Sequence, residues 1–97
     1  MSTFAELKQR VLKGDITVLQ DPDVSKVLDK DGNTPLHYAA ERFVETLKHP
    51  DVSKIKNAFN ATPLHWAANC FTEAADHPDF DKVVDRDGET PKDWLDE

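Results

Sequence analysis

The chain has 97 residues, 38% of them hydrophobic, which suits one small domain with a modest core. Its formal net charge of −7 is lopsided: residues 76–97 hold nine acidic and three basic side chains. That end repels phosphate backbones, which argues against nucleic acid, and no apolar run reaches the roughly 18 residues of a membrane span.

In chain order, the first elements are read from spacing alone. Thr3 with Glu6 resembles a capping box, and Leu7, Val11, Leu12, Ile16 and Leu19 give a helical apolar spacing with a turn at Gly14. Asp29-Lys-Asp-Gly32 is a turn signal, the glycine supplying a positive φ. Thr34-Pro35 opens a short helix running to Glu41, in which Leu36 is the core side chain and Ala39 and Ala40 allow close approach. Val44 and Leu47, three apart, mark a second short helix that His49-Pro50 ends. Pro50 to Ile55 restarts as a single turn with Val52 and Ile55 inward. Asn60 then stands where the other turns carry glycine, Thr62-Pro63 opens the next helix, and Asp85-Arg-Asp-Gly88 repeats the turn. Thr90 to Glu97 is a last single helix, with Lys92 and Asp93 in place of the core leucine and the histidine.

These elements recur at a strict period of 28 residues. Asp21-Pro-Asp-Val-Ser-Lys-Val27 returns from His49 and again from His77, and Thr34-Pro-Leu-His-Tyr-Ala-Ala40 returns as Thr62-Pro-Leu-His-Trp-Ala-Ala68. A fixed period in this range means copies of one small unit, each burying its apolar face on its neighbours. The units run over residues 6–33, 34–61 and 62–89, with a partial cap at 90–97, all within one domain, 1–97. The polar terminal copy and its negative charge suit a solvated end cap.

Asp29-Lys-Asp-Gly-Asn-Thr-Pro-Leu-His-Tyr-Ala-Ala40 resembles the ankyrin repeat signature, and Thr62 to Ala68 keeps its core motif whole. The resemblance implies an all-α solenoid of about three short helix-turn-helix units and a truncated C-terminal cap. Loops would project as fingers, and fingers and first helices would form a concave face. The units are 28 residues where the family usually has about 33. The shortfall lies before His-Pro, so the second helix should be barely two turns.

Catalysis is not expected. His37 and His65, repeated at the period, read as hydrogen-bonding residues of their own units, and His49 and His77 as caps before proline. Ligands at metal spacing, a phosphate-binding glycine loop and a nucleophile motif are not found, so neither metal nor cofactor is expected. A single cysteine, Cys70, and an N-terminus without a basic-then-apolar leader point to a reducing, cytoplasmic setting.

Tyr38, Trp66 and Trp94 share one position in successive units and form an aromatic ladder, either packed between helices or partly open on the concave face. Phe59 stands out, because its equivalents are Asp31 and Asp87. An apolar tip of Ala58, Phe59 and Ala61, with Trp66 beside it, reads as a partner anchor. Lys30, Asp31 and Asn33 on one side, and Arg86, Asp87 and Glu89 on the other, read as its polar rim. The expected function is a protein-protein interaction module, monomeric alone. An alternative is a small acidic inhibitor that blocks a basic surface of its target, and a basic protein partner suits both.

Overall fold

The computed structural model describes residues 3–95, and among them all regular structure is helical, with no strand. Helix α1 (Phe4–Leu12) starts at Thr3, whose Oγ accepts the Glu6 N–H at 3.2 Å, and the Thr3 hydroxyl also donates to the Glu6 carboxylate at 3.3 Å. It buries Leu7 and Val11. Leu12 and Ile16, expected to join the same apolar face, are instead 46% and 40% exposed. Leu12 is one step past Val11, about 100° around the helix, and Ile16 opens a new element after Gly14.

The threonine-proline pairs start the next helices as expected: α2 (Pro35–Ala40), α3 (Pro63–Cys70) and α4 (Pro91–Leu95). Thr34 accepts the His37 N–H at 3.4 Å while His37 Nδ1 accepts the Thr34 N–H at 3.0 Å, closing a capping box. Thr62 and His65 repeat it at 3.3 and 3.1 Å. In α4 the Asp93 carboxylate takes the histidine's part, accepting the Thr90 N–H at 2.9 Å and its hydroxyl at 3.3 Å. Residues 96 and 97, included in that helix by the sequence reading, lie outside the described residues.

The second helix of each unit is a five-residue 3₁₀ helix: Ile16–Gln20, Val44–Lys48 and Thr72–Asp76. Few residues separate Ala-Ala from His-Pro, and a 3₁₀ helix covers more length per residue, about 2.0 Å against 1.5 Å, than an α-helix. The turns that follow carry side-chain caps, His49 Nδ1 accepting the Asp51 N–H and His77 Nδ1 that of Asp79, each at 3.0 Å.

Successive helices pack on one another, α1 on α2, α2 on α3 and α3 on α4. One core cluster joins Leu7, Val11, Val18, Val24, Leu36 and Ala39, and a second joins Val52, Leu64, Ala68 and Ala74. The alanines let the helices approach closely, and Leu36 and Leu64 fill the centre of each cluster, fully buried. Ser25 donates to Asp51 at 3.0 Å and Ser53 to Asp79 at 2.7 Å, tying consecutive units together.

Three tight turns project ahead of α2, α3 and α4. Gly32, Asn60 and Gly88 hold φ of 78°, 60° and 81°, so asparagine does take the glycine's place in the middle turn. The turns are stitched side by side by backbone bonds, Ala58 N–H to Asp31 O at 3.0 Å and Arg86 N–H to Phe59 O at 2.8 Å.

Candidate protein-binding groove

The histidines set the groove's floor. His37 Nδ1 is already an acceptor from Thr34, so its Nε2 carries the proton and donates to Ala61 O at 3.0 Å. His65 does the same to Glu89 O at 2.9 Å. Each ring thus caps its own helix and holds the next finger. Burial drives the His37 imidazolium pKa from 6.5 down to about 4, against the pull of the Ala61 carbonyl and Asp29, and burial lowers that of His65 as well. Both rings are neutral hydrogen-bonding parts of the frame near neutral pH, as their spacing implied.

The two tryptophans stand on these rings, and Tyr38 stands on Trp66. Tyr38 meets Trp66 edge-to-face at 5.4 Å, Trp66 meets His37 at 5.2 Å, and Trp94 meets His65 at 5.4 Å. All three are half-buried, so the ladder both packs between helices and shows a face to solvent. Tyr38 donates its hydroxyl to Asp29 at 2.8 Å, and Trp94 its indole N–H to Asp85 at 3.1 Å. Burial opposes ionisation of these carboxyls, but the backbone N–H groups of Asn33 and Glu89, with the ring donors, hold both below the usual range. The equivalent position in the middle finger is Asn57, and its Oδ1 is taken up by the N–H groups of Phe59 and Ala61 at 2.9 and 3.0 Å. The Trp66 indole N–H bonds to no protein group among the described residues and is not buried away from water.

Phe59 is 54% exposed at the middle finger's tip, and the Arg86 guanidinium lies over its ring at 5.6 Å. A groove of about 460 Å³ runs beside all three fingers, lined by Asp31 and Asn33, by Asn57, Phe59 and Ala61, and by Asp85, Arg86, Asp87 and Glu89. Phe59, Trp66 and Trp94 wall it, and Asp31, Arg86, Asp87 and Glu89 stand along it, so the apolar tip and much of its expected rim share one concavity. Ala58 and Lys30 are exposed but stand outside this lining.

Two expected surface residues differ. Ala61, taken from the sequence as part of the apolar tip, is 2% exposed, with its N–H on Asn57 and its carbonyl on His37. Asn33, taken as rim, is 7% exposed and accepts the Asn57 Nδ2 proton at 2.8 Å. Their backbones lie where each finger bends back into its helix, and both side chains turn into the frame.

Glu41, Asp85 and Trp94 line the groove without having been chosen from the sequence as contact residues. Glu41 is three residues after Tyr38 on the same helical face, and Trp94 is in the ladder, so spacing could have found both. Asp85, Asp87 and Glu89 bring carboxylate oxygens within 4.8 Å of one another. Asp85 spends its oxygens on the Asp87 and Glu89 N–H groups and on Trp94.

A second groove, about 500 Å³, lies between Val44, Leu47 and Lys48 on one 3₁₀ helix and Glu73, Asp76 and His77 near the next. It has no aromatic wall. No helix among the described residues is long and apolar enough to cross a membrane.

Helices that open on Thr-Pro-Leu-His, cap themselves with the histidine and reach the following turn through its other nitrogen define a chain built of small helical repeats. Residues 31–57 match the family model of the ankyrin repeat, which supports the family resemblance carried by the two Thr-Pro-Leu-His motifs. Ankyrin repeats are in general non-catalytic protein-interaction modules. No curated protein matches the chain's sequence.

Proposed function

We propose that this chain is a non-catalytic protein-interaction module that binds a protein partner through its finger tips and the groove beside them. It would do so as a single solenoid domain, residues 1–97, of about three units and a truncated cap. The observation that carries the reading is Phe59. A large aromatic side chain 54% exposed at a turn tip, beside the half-buried Trp66 and ringed by charged residues, is the composition of an interface anchor with a polar rim. Covering it would remove apolar area from water and exclude solvent from the charges around it. Ala58 and Lys30, exposed next to the finger tips, would add to the contact.

The test is Phe59→Asp, used in affinity capture from the source cells beside the unaltered protein. The variant should keep the helical circular dichroism spectrum, because Phe59 is not in either core cluster. It should lose the specific partner, a truncated anchor commonly costing about 2 kcal/mol or more of binding. Capture of the same partner at equal yield by the variant would place the interface elsewhere.

A further inference from the structure

We propose that the groove beneath the three fingers takes the side chain of an arginine from an extended segment of the partner, the guanidinium drawn to the Trp66 wall and to the negative lining that Asp31, Glu41 and Asp87 contribute. This rests on the interaction reading above and names the chemistry that the groove selects.

Charge complementarity is the first support. Five carboxylates and a single guanidinium line the groove. That guanidinium, Arg86, lies over Phe59. Asp85 is consumed by two backbone N–H groups and Trp94. The carboxylates of Asp31, Glu41 and Asp87 accept no hydrogen bond and form no ion pair among the described residues. Glu41 is exposed in surface area, yet the crowding around its carboxyl raises its pKa somewhat. An apolar or anionic occupant would desolvate these acids further with nothing in return, whereas a cation compensates them.

The aromatic walls sharpen the choice among cations. A guanidinium is planar, weakly hydrated and able to stack on an indole face while its edge donates to carboxylates in pairs. An ammonium is a compact, strongly hydrated point charge and gains less from such a wall.

The Trp66 N–H, open to solvent and bonded to no protein group among the described residues, favours a peptide over a free small cation. Tyr38 and Trp94, at the equivalent positions, each donate to an acid of their own finger, and Asn57 denies Trp66 that partner. An arginine in an extended segment brings backbone carbonyls within reach of that N–H along with its guanidinium.

The test follows the two tryptophan indole N–H resonances by NMR during titration with acetyl-Gly-Arg-Gly-amide, its lysine counterpart and its citrulline counterpart. Citrulline keeps the shape and removes the charge. Trp94→Phe assigns the signals. The arginine peptide should shift the Trp66 resonance saturably, and more tightly than the citrulline peptide by about fivefold or more, the upper range for one partly exposed charge pair. Raising salt from about 50 to about 500 mM should weaken it, as should the exposed double substitution Glu41→Gln, Asp87→Asn in a chain whose spectrum remains folded. Equal binding of the citrulline peptide, an unmoved Trp66 resonance, or undiminished binding by the double variant would each overturn the proposal. A lysine peptide that binds as tightly as the arginine one would overturn the assignment to arginine. If the arginine peptide fails while Phe59→Asp still abolishes capture, only this inference falls. If Phe59→Asp leaves capture intact, it is the interaction reading that falls.

Discussion

The Nε2 of His37 lies 3.0 Å from the carbonyl oxygen of Ala61, so a side chain from one helix fixes the backbone of the next finger. With its Nδ1 accepting from Thr34, that ring has no room for a second proton. Protonation at Nδ1 would turn the acceptor of the capping box into a donor facing the Thr34 N–H.

Stability should therefore fall in mild acid. Unfolded, His37 takes its proton near 6.5, and folded only near 4. Between those values the unfolded chain binds more protons, so stability rises with pH. The contribution is complete above about pH 6.5, declines through the window and levels off below about 4, amounting to about 3 kcal/mol at most. His65 shifts in the same direction and adds to it. The depressed carboxyls of Asp29 and Asp85 act lower, their contribution being present above 3.8 and lost as pH falls below it. Urea midpoints measured across the histidine window check the slope. His37→Ala should flatten it while lowering stability at neutral pH by roughly 1–3 kcal/mol. A midpoint that stays fixed from neutral pH to about pH 5 would remove the histidines from the account of stability.

Leu64→Ala should cost about 2–5 kcal/mol, the range for deleting a buried leucine. Leu64 is fully buried with Val52, Ala68 and Ala74, and its N–H donates to Val52 O at 2.8 Å. The small neighbours cannot expand to fill the space. Chemical denaturation reads the loss directly, and an unmoved midpoint would mean that the leucine is not a core residue.

Gly32→Ala should destabilise more than Gly88→Ala. Both residues have positive φ, where a side chain costs roughly 1–2 kcal/mol. A Cβ at Gly88 would meet nothing within 4 Å, but one at Gly32 would come 3.0 Å from the Ala58 nitrogen. That nitrogen donates to Asp31 O, so the added methyl presses on the bond joining two fingers. Thermal melting of the two variants separates the cases, and equal losses would show that the fingers yield freely.

Much of the frame was legible because its chemistry is local. Thr-Pro-Leu-His states its own structure within four residues: an N-cap, a proline that needs no donor, a core leucine and a histidine that closes the box. Phe59 was legible by contrast with Asp31 and Asp87 at equivalent turns. The role of Asn57 left no sign in the sequence, because its partners Asn33, Phe59 and Ala61 lie both along the turn and across to the neighbouring finger. Ala61 and Asn33 were placed outside for the same reason: a bond between residues 24 apart leaves no local trace. The shortened second helix was expected, but its 3₁₀ form depends on how much distance five residues must cover.

The bonds that tie neighbouring units repeat at constant offsets. The histidine-to-carbonyl links both span 24 residues, the serine-to-aspartate links both span 26, and the finger-to-finger amide bonds both span 27. None of these links needs a loop longer than one unit to close, so the entropic cost of each closure is the same along the chain. Duplicating or deleting a whole central unit would leave every such pair at its proper separation. Adding even one residue between His37 and Asp51 would shift all three kinds of link at once. The chain's length can thus change in steps of 28 residues with little disturbance to what is already folded, and hardly at all in between.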